Sequence, residues 1–381
     1  MITKRKEGRN NLQSDHKVII SGGGTGGHIF PAIAIANALR EIEPTIKILF
    51  VGAEGKMEME KVPAAGFPIE GLPITGFQRT MKLSNLVFPF KVMRSLMKAS
   101  SIIKKFKPQV AVGVGGYASG PLLYMATRKG IPGLIQEQNS FPGVTNKLLA
   151  KKVEKICVAY DKMDRFFPAS KVILTGNPVR ENMVMTDGKR NEASDFFYLD
   201  VNKPTLLVIG GSQGARSINL AVKANLDAIA DSGVQLVWQC GPRFYDEASQ
   251  AVTALQDKGI RVFDFIARMD LAYAMGDVII SRAGASTVSE LCIVGKPAIL
   301  VPLPTAAEDH QTHNSKALVE KNAAILVKDG DAMNTLVKTA LELMKDVGRK
   351  SELRNNISKM AIRDSAKIIA EHVLSIIKNK N

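Results

Sequence analysis

The chain has 381 residues, of which 45% are hydrophobic and 23% charged. This length exceeds what one hydrophobic core usually supports, so two domains of about 150 to 200 residues are expected. The formal net charge of +15 predicts attraction to nucleic acid, anionic lipid or phosphorylated substrates without choosing among them. No run approaches the roughly 18 apolar residues of a membrane span, so any membrane contact is expected to be peripheral.

The N-terminal segment, residues 1–16, is polar and basic, with no apolar stretch behind it. It is predicted to be a flexible tail rather than a secretion signal, which favours a cytoplasmic protein. The chain has three cysteines and no CxxC pair, so a disulfide framework or a cysteine-based zinc site is not expected. They are predicted to be small buried side chains: Cys157, Cys240 and Cys292.

The first predicted elements lie in KVIISGGGTGGHIFPAIAIANALREI, which begins at Lys17. A short β-branched run enters a glycine-rich turn, and a helical pattern of apolar residues follows it. The pattern predicts a buried strand that enters a helix through a loop able to approach an anion such as a diphosphate. The apolar positions that define the helix are Ile33, Ala36, Leu39 and Ile42.

Two other interpretations of this loop remain open. Gly22, Gly24 and Gly27 satisfy G-x-G-x-x-G, and Glu54 follows the next strand, as in the dinucleotide site of a nicotinamide-dependent oxidoreductase. The loop could also be a strand-to-helix turn that binds no ligand.

The same pattern of strand, glycine loop and helix recurs in TLLVIGGSQGARSINLAVKANL. Leu206 to Ile209 are predicted as the strand, and the helix is predicted to begin after Gly211. Between and after the two glycine loops, short apolar runs alternate with amphipathic stretches, which is typical of parallel sheets covered on both faces. An α/β protein with two doubly wound domains is therefore expected. Their boundary is predicted near TGNPVREN, with the second sheet starting about thirty residues later.

Eight segments resemble the MurG family of bacterial N-acetylglucosaminyltransferases, in the family's order, between about Lys17 and Asn322: GGGTGGHIFPAIAIA, VGVGGYASGP, QEQNSFPGVTNKLLA, TGNPVR, GGSQGARSIN, FIARM, SRAGASTVSEL and EDHQTHN. The resemblance implies the GT-B architecture, two Rossmann-like domains separated by a cleft, with no cofactor and no obligatory metal. It also implies inverting transfer of N-acetylglucosamine from UDP-N-acetylglucosamine to the 4-hydroxyl of the muramyl sugar of lipid I, which yields lipid II for peptidoglycan synthesis.

The resemblance also implies a division of labour along the chain. Residues 17–178 are expected to form the domain that faces the acceptor and the membrane, and residues 179–360 the donor domain that binds the UDP-sugar. Residues 361–381 are expected to form a terminal helix that returns to the first domain, and the apolar spacing through Ile368, Ile369, Val373 and Ile376 is compatible with such docking.

The donor residues are carried over position by position. Ser212 matches the residue at the diphosphate, Ile266 the one whose main chain holds uracil, and Glu290 the carboxylate that accepts the ribose hydroxyls. Arg180 matches an arginine at the edge of the cleft, and amides are placed near the sugar. The full expected donor set is Thr25, Gly26, Gly27, Asn139, Arg180, Ser212, Ile266, Ala285, Ser286, Thr287, Val288, Ser289, Glu290 and Gln311.

The first glycine loop and a second glycine turn are implied to face the acceptor. The general base that takes the proton of the attacking hydroxyl is expected to be His28, although it could instead bind the acceptor phosphate as a cation. Glu137 is the reserve base, and Gln136 stands where many family members carry histidine. The expected acceptor residues are Gly27, His28, Gly115, Gly116 and Tyr117.

Two clusters invite a metal hypothesis, and neither is expected to bind a metal. Asp329 and Asp331 form a D-x-D, but Asp331 directly precedes a predicted helix and is interpreted as its N-cap. Asp309, His310 and His313 have plausible spacing, yet the resemblance assigns that loop to the donor sugar.

Residues 77–107 contain eight basic residues and no acidic one. Apolar residues are interleaved with the cations, which is typical of a segment that lies on an anionic membrane surface. The later part of the segment, including Met93 and Met97, is expected to pack inward. The predicted membrane patch comprises Lys82, Leu83, Leu86, Phe88, Phe90, Lys91 and Arg94.

The expected partners are UDP-N-acetylglucosamine, lipid I, an anionic membrane surface and other cell-wall synthesis proteins, at the cytoplasmic face of the plasma (inner) membrane. Nucleic acid is not expected, although a basic RNA- or membrane-binding module is the non-enzymatic alternative. A related GT-B transferase that uses the same donor with another lipid is the nearest enzymatic alternative.

Overall fold

A computed structural model describes residues 16–74 and 88–379. The described chain forms two parallel β-sheets with helices between successive strands. It divides into two compact units, and the first contains the described residues up to Gln136, Leu149–Lys155 and those from Lys367 onward. The second contains Glu137–Leu148 and Ile156–Ala366. The predicted class, two Rossmann-like doubly wound α/β domains, is confirmed.

The first sheet has seven strands in the order β3-β2-β1-β4-β5-β6-β7. The strand order reverses between β1 and β4, whose carboxyl ends form the switch point at which doubly wound sheets bind ligands. Its strands and helices are β1 (Lys17–Gly22), α1 (Gly26–Ile42), β2 (Lys47–Ala53), α2 (Glu58–Ala64), β3 (Ile69–Leu72), α3 (Phe88–Phe106), β4 (Val110–Gly115), α4 (Ser119–Arg128), β5 (Gly133–Glu137), α5 (Val144–Leu149), β6 (Lys155–Val158) and β7 (Val172–Leu174).

The second sheet has six strands in the order β10-β9-β8-β11-β12-β13, and every neighbouring pair is parallel. Its switch point lies between β8 and β11. The elements from the connecting segment onward are α6 (Glu181–Val184), α7 (Arg190–Phe197), β8 (Thr205–Ile209), α8 (Arg216–Ala224), α9 (Leu226–Asp231), β9 (Gln235–Gln239), α10 (Tyr245–Val252), β10 (Ile260–Phe263), α11 (Met269–Met275), β11 (Val278–Ser281), α12 (Ala285–Val294), β12 (Ala298–Leu300), α13 (His310–Val319), β13 (Ile325–Leu326), α14 (Ala332–Lys345), α15 (Val347–Ser358) and α16 (Ser365–Lys378).

The predicted strand at Leu206–Ile209 is confirmed, but the helix after it begins at Arg216 rather than after Gly211. Gly211 and Gly214 have φ values of +82° and +76°. Such left-handed residues do not occur inside a helix, so the loop is longer than the sequence suggested. The terminal helix likewise starts at Ser365 because Asp364, just before it, has a φ of +57°.

Helix α1 buries two of the four predicted positions. Ala36 and Leu39 are fully buried as predicted, Ile33 is partly exposed, and Ile42 at the helix end is 40% exposed. The rest of the buried face is formed by Ile29, Ala32 and Ile35. The three cysteines are free and buried, as predicted.

Helix α3 corrects the expectation that Met93 and Met97 pack inward. Ser95 and Ala99 form its buried face together with isoleucines, and the helix packs on α4. Small residues allow close approach of two helices, so the methionines of α3 turn outward and are 60% and 59% exposed. Lys82, Leu83 and Leu86 of the predicted membrane patch lie outside the described residues.

Candidate functional site

The first switch point brings two glycine turns together. The loop after β1 and the turn after β4 touch through their backbones, and Gly23 N–H donates to Gly115 O at 3.3 Å. A side chain on Gly116, whose φ is +88°, would overlap the backbone of Gly23. Ser119 donates from Oγ to Ser21 O at 2.9 Å and ties α4 to the end of β1. Glycine is therefore required here for backbone packing.

A buried carboxylate holds the first glycine loop. Glu58, which is 1% exposed, accepts hydrogen bonds from Gly24 N–H at 2.8 Å and Ala53 N–H at 3.0 Å. It therefore occupies the N–H of Gly24, a backbone donor of the loop that a diphosphate would otherwise use, and it places a carboxylate beside the loop. The predicted acid of a dinucleotide site, Glu54, instead forms an ion pair with Lys98. Both observations argue against the dinucleotide interpretation.

His28 is oriented by the same loop. Its Nδ1 lies 3.2 Å from Gly23 O and 3.3 Å from Thr25 Oγ1. A carbonyl oxygen can only accept, so Nδ1 carries the proton in the neutral ring and Nε2 is the basic nitrogen. The ring lies against Gly115, where a β-carbon would overlap it. The structure therefore brings the predicted His28 and Gly115 into contact and assigns the tautomer that a general base requires.

The other predicted residues of this region surround the same loop. Thr25 is the N-cap residue of α1, and Gly26 and Gly27 form the helix's first turn. Tyr117 is 48% exposed, and its ring approaches Gly24. The switch point therefore collects all the residues predicted to face the acceptor.

The second switch point places a glycine loop beside a helix N-terminus. The loop after β8 carries the exposed Ser212, and the N-terminus of α12 follows β11. Gly214 N–H donates to Gly211 O at 2.9 Å, and a side chain on Gly214 would overlap Cys240 O. The arrangement suits a diphosphate, because glycine backbone and a helix N-terminus both present N–H groups to an anion.

Gln239, a residue that sequence reasoning missed, joins two loops of this site. Its Nε2 donates to Gly211 O at 3.1 Å, and its Oε1 accepts from Ile266 N–H at 3.0 Å. Gln239 is 4% exposed at the end of β9. Since the N–H of Ile266 is already used, a pyrimidine base can be held there through the main-chain carbonyl.

Glu290 lies half-buried on α12, where Tyr273 Oη donates to its Oε2 at 2.9 Å. Burial raises the pKa of Glu290, while the Tyr273 hydrogen bond and the positive charge of Arg180 lower it. The structure thus brings together Glu290 and Arg180, both predicted from the sequence, and adds Tyr273. A carboxylate fixed in this way has oxygen lone pairs for a diol.

The predicted residues of α12 differ in what they offer. Ala285, Ser286 and Thr287 form its first turn, whose N–H groups have no carbonyl partner within the helix. Val288 is 1% exposed and donates its N–H to Gly284 O. Ser289 donates to Ala285 O and accepts from Asn177. Val288 and Ser289 therefore support the helix and present little to a donor.

Glu137, the reserve base, organises the loop that follows β5. It is 2% exposed and accepts from Asn139 N–H, Gly143 N–H and the side chains of Asn139 and Asn146. Burial raises its pKa and these hydrogen bonds lower it. A carboxylate with four donors around it serves structure, which disfavours Glu137 as the base. Gln136 is fully buried in β5.

The predicted amides are anchored by neighbours. Asn139 Oδ1 accepts from the buried Asn314, which also accepts from Ser140 N–H at 3.0 Å. Gln311 Oε1 accepts from Leu303 N–H at 2.9 Å, which fixes the orientation of its amide. Asn314 is a second residue that sequence reasoning missed, and only its place in EDHQTHN hinted at it.

The aspartates of the D-x-D motif have other roles. Asp329 pairs with Arg282 and accepts from Ser217, and Asp331 takes the N-cap position of α14 without a side-chain capping bond. Across residues 16–74 and 88–379, no group of three or more His, Cys, Asp or Glu side chains could hold a metal ion.

Comparison with known proteins places this geometry in a family. The model of the glycosyltransferase family 28 N-terminal domain matches residues 18–158, and that of the C-terminal domain matches residues 205–371. A crystal structure of MurG from Acinetobacter baumannii superposes with a TM-score of 0.77 at 28% identity, covering 95% of this chain and 99% of that one.

Two relatives share more than half of their residues with the chain. The protein of Parabacteroides distasonis is 53% identical over 365 residues, 96% of this chain and 99% of the relative. That of Phocaeicola vulgatus is 54% identical over 366 residues, 96% of this chain and 97% of the relative. Both are named UDP-N-acetylglucosamine–N-acetylmuramyl-(pentapeptide) pyrophosphoryl-undecaprenol N-acetylglucosamine transferase. The chain belongs to glycosyltransferase family 28 and, within it, to the MurG family of N-acetylglucosaminyltransferases.

Proposed function

We propose that the protein transfers N-acetylglucosamine from UDP-N-acetylglucosamine to the muramyl sugar of a lipid-linked N-acetylmuramyl-pentapeptide diphosphate, the step from lipid I to lipid II in peptidoglycan synthesis. The observation that carries the proposal is the second switch point, which offers a group for each part of UDP: the main chain at Ile266 for the uracil, Glu290 for the ribose, and the α12 N-terminus with the loop at Ser212 for the diphosphate. Relatives more than 50% identical bear the name of this activity.

The donor end of the reaction needs the UDP diphosphate to leave. Backbone N–H groups of the loop after β8 and of Ala285, Ser286 and Thr287 face the place where its charge increases. Fixed N–H dipoles stabilise such a leaving group without any reorganisation at the moment of reaction. Glu290 accepts the ribose hydroxyls, and the main chain at Ile266 holds the uracil. Together these groups orient the nucleotide.

The acceptor end needs a proton to be removed from the attacking 4-hydroxyl. His28 supplies the base, because its Nδ1 is oriented by Gly23 O and its basic nitrogen is Nε2. One in-line attack on an α-linked nucleotide sugar inverts the anomeric carbon and gives a β-linked product. The residues of the first switch point, including Gly27, Gly115, Gly116 and Tyr117, bind the acceptor in this proposal.

The domain roles follow the same division. Residues 17–178 act on the acceptor, residues 179–360 bind the donor, and residues 361–381 return to the first domain. Lys367–Lys378 of α16 belong to the first compact unit, and within it His372 Nδ1 lies 3.1 Å from Lys155 Nζ. These contacts support the proposed return.

A peripheral place on the anionic cytoplasmic face of the plasma membrane fits the acceptor's lipid. No helix in the two described ranges is long and apolar enough to cross a membrane. On α3, Phe90 is 71% exposed, and Met93 and Met97 follow it at helical spacing on the exposed side. Arg94 and Lys98 lie among them, exposed. Apolar anchors among cations support the membrane surface as a partner.

The proposal is tested by UDP release from UDP-N-acetylglucosamine with and without a short-chain lipid I analogue, in EDTA. We expect release that requires the acceptor, survives EDTA and collapses in Glu290→Ala. If UDP is released equally without the acceptor, or is not released at all by a protein that binds UDP, the proposed acceptor is refuted. Neither result would contradict the fold. An arm with a different lipid-linked sugar tests the related-transferase alternative, and an NADH-binding arm tests the oxidoreductase alternative.

A further inference from the structure

Three segments of the second compact unit meet at one fully buried asparagine, Asn314 on α13. Its Oδ1 accepts from the N–H and the Oγ of Ser140, in the loop after β5, at 3.0 and 3.3 Å. Its Nδ2 donates at 3.2 Å both to Asn139 Oδ1 and to Ala283 O. Ala283 directly precedes Gly284, the N-cap residue of α12. Asn314 therefore connects α13, the loop after β5 and the start of α12.

The partners of Asn314 allow only one orientation of its amide. The N–H of Ser140 can only donate and the carbonyl of Ala283 can only accept, so Oδ1 of Asn314 faces the first and Nδ2 faces the second. Nδ2 of Asn314 also faces Asn139, which must therefore present its carbonyl oxygen. The Asn139 Nδ2 is then turned towards Glu137, whose Oε1 lies 3.4 Å away. Obligatory donors and acceptors thus fix the orientation of the Asn139 amide.

Gln311, the second amide predicted near the sugar, is fixed in the same sense. Its Oε1 accepts from the N–H of Leu303, so only its Nε2 is left to offer hydrogen bonds. In the part of the chain that the structure describes, Gln311 Nε2 has no acceptor and Asn139 Nδ2 has only Glu137. Gln311 lies three positions before Asn314, on the same side of α13, and both predicted amides are partly exposed. Each therefore offers N–H groups to a ligand, whereas its oxygen is already engaged.

We propose that Asn314 is a positioning residue for the donor sugar. It turns the Asn139 amide so that the N–H groups of Asn139 and Gln311 donate to oxygens of the sugar. A sugar hydroxyl can donate or accept, so this arrangement makes the sugar the acceptor in these contacts. Because Asn314 also donates to Ala283 O, it aligns the two amides with the N-terminus of α12, the element proposed to hold the diphosphate. The inference rests on the proposed donor site.

The test is a calorimetric titration of the full chain with UDP and with UDP-N-acetylglucosamine, in the absence of acceptor. The affinity for the UDP-sugar divided by the affinity for UDP, the relative affinity, isolates the contribution of the sugar. We expect Asn139→Ala and Asn314→Ala each to lower the relative affinity by about fivefold or more, because a hydrogen bond to the sugar is lost. Asn139→Ala should leave the affinity for UDP itself unchanged.

The variant that combines Asn139→Ala with Asn314→Ala separates positioning from a merely structural role. If Asn314 acts through Asn139, the combined variant should lower the relative affinity no further than the larger single loss. Additive losses would show that the two residues act independently and would overturn the inference. An unchanged relative affinity in either single variant would overturn it as well.

Gln235→Ala is the matched control, because Gln235 is also a buried amide with several hydrogen bonds. It bridges Asp200 and Thr205 at the amino end of β9, away from the carboxyl ends of the strands where the switch point lies. Its substitution should lower stability and leave the relative affinity unchanged. A loss of relative affinity equal to that of Asn314→Ala would mean that the titration reports stability, and the inference would fall.

A second measurement needs no variant of Asn314, so it does not depend on whether that variant folds. The wild type is titrated with UDP-N-acetylglucosamine analogues in which one sugar hydroxyl is replaced by hydrogen or by fluorine. Fluorine can accept a weak hydrogen bond and cannot donate one, whereas hydrogen does neither. We expect at least one deoxy analogue to bind about fivefold or more weakly, and its fluoro counterpart to lose less. Equal losses in every such pair, or no loss in any, would contradict the orientation assigned to Asn139.

The same titrations distinguish failure of this inference from failure of the proposed function. A wild type that binds neither UDP nor the UDP-sugar would contradict both. A wild type that binds both ligands, together with any of the contradicting results above, would overturn the role of Asn314 and leave the proposed function standing.

Discussion

Tyr273 donates a hydrogen bond of 2.9 Å to Oε2 of Glu290. Tyr273 is fully buried, so this bond is sheltered from water and orients the carboxylate. Burial raises the pKa of Glu290, and the bond from Tyr273 lowers it. The hydrogen bond from Tyr273 therefore opposes the protonation of Glu290 that burial favours.

Tyr273→Phe should weaken UDP binding by about five- to tenfold near neutral pH, because one hydrogen bond to a charged group is lost. The pKa of Glu290 rises further without the tyrosine, so the acidic loss of UDP affinity should begin at a higher pH than in the wild type. Calorimetric UDP titrations across pH check both effects, with Tyr245→Phe as the control. Identical pH dependence in Tyr273→Phe and wild type would contradict the role given to the pair.

His28→Gln should lower kcat by about 10²- to 10⁴-fold and leave UDP affinity unchanged, because only proton removal is lost. Steady-state kinetics with the lipid I analogue, together with UDP titration, separate the two quantities. An unchanged kcat would show that another group takes the proton.

Gly115→Ala should also lower kcat, because the added β-carbon would displace the His28 ring. A displacement of a catalytic group by about 1 Å can reduce the rate about 10²-fold. Gly130→Ala is the matched control: its φ is also positive, at +71°, but nothing lies within 4 Å of the added carbon. Equal kcat in both variants would mean that the contact with His28 does not matter.

Glu58→Gln should lower the free energy of unfolding by about 2 kcal/mol or more. Glutamine keeps only one acceptor oxygen, so its amide nitrogen would face the N–H of either Gly24 or Ala53 and leave that buried donor without an acceptor. Glu54→Gln removes only an exposed ion pair and should cost less than about 1 kcal/mol. Chemical denaturation monitors both variants. Similar losses would show that Glu58 does not hold the loop.

Changing Phe90, Met93 and Met97 together to serine should reduce sedimentation with vesicles that contain anionic lipid, because the exposed anchors of α3 are removed. The residual binding should fall as salt rises, since it depends on lysine and arginine charges. Met333→Ser with Val347→Ser removes exposed apolar residues elsewhere and should bind like the wild type. Equal binding by the two variants would locate the membrane surface away from α3.

The local part of this architecture was predictable from the sequence. A β-branched run, a glycine turn and a helical pattern are neighbours in the chain, so β1 with α1 and β8 with α8 could be recognised. The strand order reverses at β1 in the first sheet and at β8 in the second. Each glycine loop directly follows one of these strands, so each loop lies at a switch point.

Contacts between distant residues were not predictable in this way. Glu58 holds Gly24 across 34 positions, Gln239 holds Ile266 across 27, and Asn314 holds Ser140 across 174. Nothing local in the sequence marks such partners. The inward face of α3 was predicted only in part: Ile103 is buried as expected, but hydrophobicity favoured the methionines whereas close packing selected Ser95 and Ala99.

The most direct test of the account is the product of one reaction with UDP-N-acetylglucosamine and the lipid I analogue, characterised by mass and by the anomeric proton coupling in NMR. We predict an acceptor one N-acetylglucosamine heavier, β-linked at the 4-hydroxyl of the muramyl sugar, formed with one UDP per product. An α-linkage, or no disaccharide product from a protein that binds UDP, would contradict inverting transfer to this acceptor.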